Sequence, residues 1–279
     1  MHNVYILKTA YYERLNLKME PIGDTTQGQR LINFRIFYLI TQMVGITIII
    51  LMAAWISIYL GGFGWSAPAI EFNWHPLLMT IGMIYLFGNS ITLYRSFRYA
   101  RKKNLKISHA TLFGVIMVLI ILALIAVFNS HNLASPPIPN LYSLHSWIGL
   151  GAVIIFGCQW VAGFVSFLYP QIAGPNKMVY MPIHIYFGLL AFVLAIIAAL
   201  LGITEKAIFH MGASAYSQLP NEAYIVNSIG ALIVLFAGLI VFLTTNEGYR
   251  RIPLPEDAML LIGHDDERHN LLSDASSSS

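Results

Sequence analysis

One cysteine, Cys158, stands in a chain of 279 residues. A lone thiol excludes an internal disulfide framework and a cysteine-based metal cluster. Charge is scarce too. Only 10% of the residues are Asp, Glu, Lys or Arg, against about 25% in an ordinary soluble domain. The scarcity is patterned: residues 36–70, 72–94, 107–176, 178–204 and 223–246 contain none of the four. Residues 1–35 are mixed polar and charged, without the apolar stretch of a secretory signal. The net charge of +3 is too small to suggest a nucleic-acid partner.

What is present is apolar: 57% of the chain is hydrophobic. Charge-free runs of about 18 residues or more read as transmembrane helices. Turn-rich breaks such as "GGFGWSAP", "RKKNLK", "ASPPIPN", "YPQIAGPNK" and "SAYSQLPNE" divide them into six spans, 36–60, 75–97, 107–129, 143–168, 182–203 and 224–245. Backbone groups in lipid must be satisfied within the segment, so the spans are helices. The expected fold is an all-α integral membrane protein. Residues 1–35 form an N-terminal tail, 36–246 a six-helix domain and 247–279 a C-terminal tail.

Six spans put both termini on one face. That face receives all of the 16 Lys and Arg residues except Lys206. The positive-inside rule makes it cytosolic. Residues 61–74, 130–142 and 204–223 then face a lumen or the exterior.

Four histidines stand at the starts of successive spans: His75 in "NWHPLLM", His109 in "ISHATLF", His145 in "LYSLHSW" and His184 in "MPIHIYFG". The spans alternate in direction. His75 and His145 therefore lie near the outer face, and His109 and His184 near the cytosolic face. A single histidine at a helix end can snorkel to the headgroups. Four sorted two and two argue for a shared purpose, because ionisable groups in lipid are costly. No Asp or Glu lies inside the spans, so a bare Zn²⁺ site lacks its usual four ligands. Haem iron needs only two axial ligands, and a bis-histidine haem has no open position and carries electrons. Four residues after His145 and His184 come Gly149 and Gly188, small enough to admit a porphyrin on that helix face. Met79 and Phe113 follow the other two, and glycine is also common in helix packing.

The cytosolic stretch "YRSFRYARKKNLKISH" carries Arg95, Arg98, Arg101, Lys102, Lys103 and Lys106. Such a cluster serves as a topology signal or binds anionic lipid. Lys102, Lys106 and His109 are also spaced by four and three. A helix that starts early sets them on one face, a cationic ledge suited to an anionic electron donor. Lys177, seven before His184, would close that site.

These residues resemble the cytochrome b561 family of transmembrane ascorbate-dependent oxidoreductases. "YRSFR", "LYSLHSW", the four histidines and the six spans carry the resemblance over residues 36–246. "FNWHP", "GCQW", "PIHIYFG" and "LPNEAYIVNSIG" are most similar to its late-endosomal and lysosomal animal branch. The resemblance implies two haem b groups in a four-helix core of spans 2–5, one held by His75 and His145, the other by His109 and His184. It implies a cytosolic ascorbate site at Lys102, Lys106, Arg95 and Lys177, the last standing where the family has Arg. It implies an outer histidine near the acceptor, here His131 in "FNSHN", preceded by Ser130 and not by an aromatic residue. The expected assembly is a homodimer in membrane lipid.

The outer acceptor expected is ferric iron, with monodehydroascorbate as the alternative. A haem b subunit of a quinone-linked complex would instead depend on a partner protein. A transporter or proton relay using the intramembrane histidines would lack a chromophore and would place polar residues at mid-span, where few are found. In the C-terminal tail, "EDAMLL" (256–261) and "ERHNLL" (267–272) fit the acidic dileucine pattern read by adaptor proteins. They point to a late-endosomal or lysosomal membrane, with plasma membrane or secretory vesicle as alternatives.

Overall fold

The computed structural model describes residues 24–251. Six helices among them are long and apolar enough to cross a membrane. They are α1 (Asp24–Tyr59), α2 (Pro68–Ser96), α3 (Lys102–Asn132), α4 (Leu144–Phe167), α5 (Gly174–Met211) and α6 (Asn221–Thr245). No strand occurs among the described residues. The chain is an all-α multi-pass membrane protein.

Local chemistry sets several boundaries. Ser143 and Ser146 form a reciprocal capping box that starts α4. Gly212, at φ +79°, takes the left-handed conformation that ends α5. α2 is composite: a π-helical stretch over Thr80–Leu86 joins the α-helical pieces Trp74–Met79 and Phe87–Ser96. Such insertions often sit beside functional groups.

The helices pack chiefly as antiparallel neighbours, α2 on α3, α4 on α5 and α1 on α6. Trp55, Phe87, Phe156, Phe192 and Phe236 are sealed in the centre. Met43, Trp147, Tyr169 and Met178 stand exposed on the outside, where a lipid-facing surface keeps apolar side chains.

One end of the bundle gathers both ends of the described chain. Phe34, Leu243 and Tyr249 cluster there. Arg98 Nη2 donates to the Tyr249 carbonyl at 3.4 Å. Apart from Lys206, the described Lys and Arg residues lie toward this basic end.

The helices overrun the spans expected from sequence. α1 begins at Asp24, inside the segment expected as a tail, and α5 runs from Gly174 to Met211 instead of 182–203. α3 begins at Lys102, so Lys102, Lys106 and His109 do share a helix. The reason is physical: a charge-free run stops at the first ionised residue, whereas a helix continues into the headgroups with its charges pointing out. His145 remains in a first turn, as does His75 in the α-helical piece Trp74–Met79; His109 and His184 lie well inside their helices. Both dileucine stretches lie outside the described residues.

Candidate functional site

The four histidines meet in two pairs across the bundle. His75 of α2 faces His145 of α4, with ring centres 6.1 Å apart and planes at 88°. His109 of α3 faces His184 of α5, at 6.3 Å and 68°. Two imidazoles bonded through Nε2 to one metal ion would hold their ring centres about 6 Å apart, given metal–nitrogen bonds of about 2 Å. The first pair lies toward the end opposite the basic one, the second toward the basic end.

The Nδ1 atoms of three of the histidines are tied down. Nδ1 of His75 lies 3.2 Å from the Ala123 carbonyl, Nδ1 of His109 3.0 Å from that of Ser90, and Nδ1 of His145 2.7 Å from that of Ala198. A carbonyl can only accept, so each Nδ1 carries the proton. Nε2 is left with its lone pair, the tautomer a metal requires. Each carbonyl belongs to the helix packed alongside, so helix packing orients the rings.

The glycines that matter are not those expected. No side chain or other packed atom comes within 4 Å of where a Cβ at Gly188 would stand, and a Cβ at Gly149 would meet only Ala198 at 3.7 Å. The close contacts with a histidine ring belong to Gly202 and Gly163. A Cβ at Gly202 would stand 2.6 Å from Cε1 of His145, and one at Gly163 would stand 3.0 Å from Cε1 of His184. α4 and α5 thus exchange the same contact twice: the histidine of each lies on a glycine of the other. In both helices the histidine precedes its glycine by 18 residues. That is five turns, which returns both to one face.

The His75–His145 pair borders a cavity of about 810 Å³ that reaches the loops beyond it. Gly149, Gly202, His131 and Lys206 are among its lining residues. This volume falls in the range of cofactor pockets, about 300–1,000 Å³. Ser90 Oγ, Gln159 Oε1 and His184 Nδ1 are buried without a hydrogen-bond partner. Paired imidazoles of the right tautomer, glycine-lined ring positions and a cofactor-sized cavity fit a flat macrocycle with two axial nitrogen ligands. Among the described residues, no group of three or more His, Cys, Asp or Glu suits a bare metal ion.

Between the pairs lie four buried phenylalanines, one from each of α2 to α5. Phe87 sits at the centre, 5.3, 5.1 and 5.5 Å from Phe113, Phe156 and Phe192. Phe113 and Phe156 stack at 4.8 Å with planes 4° apart. Phe113, four residues after His109, therefore fills the bundle where sequence reasoning looked for a small residue; its ring centre is 4.6 Å from that of His109.

At the basic end, Lys106 Nζ donates to the Phe167 carbonyl at 3.4 Å. The Phe167 ring stacks on Tyr180 at 5.5 Å and meets His184 at 5.4 Å. Lys102 and Lys177 both lie close enough to repel the Lys106 ammonium. Lys177 Nζ also donates to Gln171 Oε1 at 2.7 Å. The three lysines therefore gather beside the His109–His184 pair. Arg95 turns elsewhere: its guanidinium donates to the Asn246 carbonyl at the end of α6. Phe167 and Tyr180 were missed from sequence. Their signal is helical spacing, since Tyr180 precedes His184 by four and Phe167 follows Gly163 by four.

At the opposite end, His131 occupies the last turn of α3 and reaches the cavity, with Nδ1 3.1 Å from Asn140 Oδ1. Lys206, also in the cavity wall, places its ammonium 4.3 Å from the centre of the Phe72 ring. Ser143 donates to Glu205 at 3.1 Å. From sequence Lys206 stood out only as the lone basic residue of the opposite face, and Glu205 not at all, because a charge in a loop reads as solvated until a fold turns it inward.

A helical membrane protein with paired imidazoles buried at two depths has the layout of a b-type cytochrome. The model of the family described as eukaryotic cytochrome b561 matches residues 74–210. The chain is 40% identical over 221 residues to a plasma membrane ascorbate-dependent reductase, CYBRD1, of Xenopus tropicalis, covering 78% of this chain and 77% of the relative. It is 37% identical over 234 residues to a lysosomal membrane ascorbate-dependent ferrireductase, CYB561A3, of Danio rerio, covering 81% and 94%. It is 35% identical over 220 residues to a human transmembrane ascorbate-dependent reductase, CYB561, covering 79% and 86%. The chain belongs to the cytochrome b561 family, and membership implies a b-type haem.

Proposed function

We propose that the chain carries electrons across a membrane from cytosolic ascorbate to ferric iron on the other side, using two b-type haems. The observation that carries this reading is the pair of histidine pairs, at 6.1 and 6.3 Å, near opposite ends of one bundle. His75 and His145 would hold one haem, His109 and His184 the other. When bound, such a haem supplies a one-electron couple with no open coordination position.

The chain's own residues do the rest. The carbonyls of Ala123, Ser90 and Ala198 hold the ring protons on Nδ1 and keep Nε2 free to ligate. The phenylalanines exclude water between the two sites. Lys106, Lys102 and Lys177 supply positive charge where ascorbate, a monoanion near neutral pH, would bind beside Phe167 and Tyr180. Ascorbate gives up one electron and one proton and becomes monodehydroascorbate; the proton is released to water on the donor side, and the electron converts one Fe³⁺ to Fe²⁺. His131 and Lys206 would meet the iron as an anionic chelate in the outer cavity. The gathering of basic residues at the end holding both chain ends supports a cytosolic location for that end. The lysosomal relative and the two dileucine stretches favour a late-endosomal or lysosomal membrane.

Reconstituted vesicles loaded with ascorbate and offered external ferric chelate test the reading. A bis-histidine haem spectrum and formation of ferrous iron are expected. Absence of any haem band ends it. Reduction of monodehydroascorbate without reduction of ferric iron reassigns the acceptor alone.

A further inference from the structure

The exchange of contacts between α4 and α5 is symmetric except at one atom. On α5, Gly202 carries the His145 ring, and Ala198, one turn before it, accepts the His145 Nδ1 proton at 2.7 Å. On α4, Gly163 carries the His184 ring, with Cε1 and Nδ1 nearest, 3.0 and 3.6 Å from an ideal Cβ. The residue one turn before Gly163 is Gln159. Residues four apart lie one above the other on a helix face, so Gln159 is directed along the same seam.

There the symmetry breaks. His184 Nδ1 is buried and finds no partner, unlike the other three histidines. Gln159 is only 8% exposed, and its Oε1 is also buried without a partner. Buried polar groups are strongly disfavoured when unpaired. A donor and an acceptor, both orphaned, stand on facing helices one turn apart.

We propose that Gln159 is the positioning residue of His184, its Oε1 accepting the Nδ1 proton. This rests on the reading of His184 as a haem ligand. Three histidines are then fixed by backbone carbonyls that no substitution can remove, and the fourth by a side chain. A stronger acceptor at Nδ1 makes an imidazole more basic and favours the oxidised metal. Gln159 therefore sets the potential of the haem nearest the electron donor, independently of the outer one.

Redox titration of purified full-length protein with two resolved haems tests this. Gln159→Leu removes the acceptor and should raise the midpoint potential of the cytosolic haem. Gln159→Asn keeps the amide but shortens its reach and should do the same. Gln159→Glu places a carboxylate on Nδ1–H and should lower it. The outer haem should not move in any of them. Shifts of one sign in Leu and Glu variants, or an unmoved cytosolic haem, overturn the proposal. If the Glu variant does not fold, a missing rise in both Leu and Asn variants overturns it. His184→Ala separates the two readings. Should that change spare both haems, the ligand assignment fails. Should it remove the cytosolic haem while the Gln159 variants leave potentials unmoved, only the role of Gln159 fails.

Discussion

His145 of α4 lies so close on Gly202 of α5 that a single added carbon would stand 2.6 Å from its ring. Real carbon atoms do not approach that closely, so either the ring or the helix must yield. Overpacking of this kind costs about 1–3 kcal/mol. Gly202→Ala should therefore lower the thermal midpoint and deplete the outer haem. Gly163→Ala, with 3.0 Å to His184, should act in the same direction and more weakly. Haem-to-protein ratios and melting curves check both; equal haem content in Gly202→Ala and the parent would refute the close approach.

The pairing across the bundle predicts separable haem losses. His145→Ala should remove the outer haem and leave the one at the basic end, since only His75 loses its facing ring. His184→Ala should do the reverse. Haem titration and reduced-minus-oxidised spectra distinguish them. A single change that spared both haems would contradict the pairing.

Electron entry should depend on Lys106. A charge-assisted contact to an anionic donor contributes about 1–3 kcal/mol, so Lys106→Ala should slow reduction by ascorbate about ten-fold. Lys102→Ala should act similarly. Arg95→Ala should have a smaller effect on this rate, because its guanidinium is engaged with Asn246. Dithionite should reduce all three variants at the parent rate. Stopped-flow absorbance measures these rates, and an unchanged ascorbate rate in Lys106→Ala would leave the lysines a topological role only.

The phenylalanine cluster should be the stability centre. Phe156 is fully buried and touches Phe87 and Phe113. Phe156→Ala should destabilise the protein by about 3–5 kcal/mol through lost burial and the cavity left behind. Phe156→Leu should cost less. Denaturation in detergent measures both, and a near-neutral Ala variant would show that the bundle collapses around the gap.

At the outer cavity, His131→Ala and Lys206→Ala should keep both haems and reduce anionic ferric chelates more slowly. For a neutral chelate the Lys206 variant should approach the parent, because the lost interaction is electrostatic. Initial rates with the two chelates settle it. A rate loss of equal size with both would make Lys206 a packing residue.

The fold class, the number of spans and the end of the bundle that is basic were all determined by the sequence alone. Each follows from where charge is absent, and lipid leaves a charge-free run one option, a helix. The division of the histidines into two pairs followed from the same alternation of direction. Helix length was not legible, because Lys102 and Lys206 continue helices that a charge-free run ends. Nor was the partner glycine legible. Gly149 and Gly188 neighbour the histidines along their own helices, but the ring reaches outward, so what it meets is decided by the depth at which α4 and α5 cross. That crossing brings in Gly202 and Gly163, directs His145 onto the Ala198 carbonyl and leaves Gln159 one turn from the glycine under His184, while the packing of α2 on α3 directs His75 and His109 onto carbonyls of each other's helices. The approach of α2 to the end of α6 turns Arg95 away from the lysines, and the end of α5 folds Lys206 into the cavity wall. Contacts between helices depend on register and rotation, and these are set by the packing of whole faces, which no local spacing records.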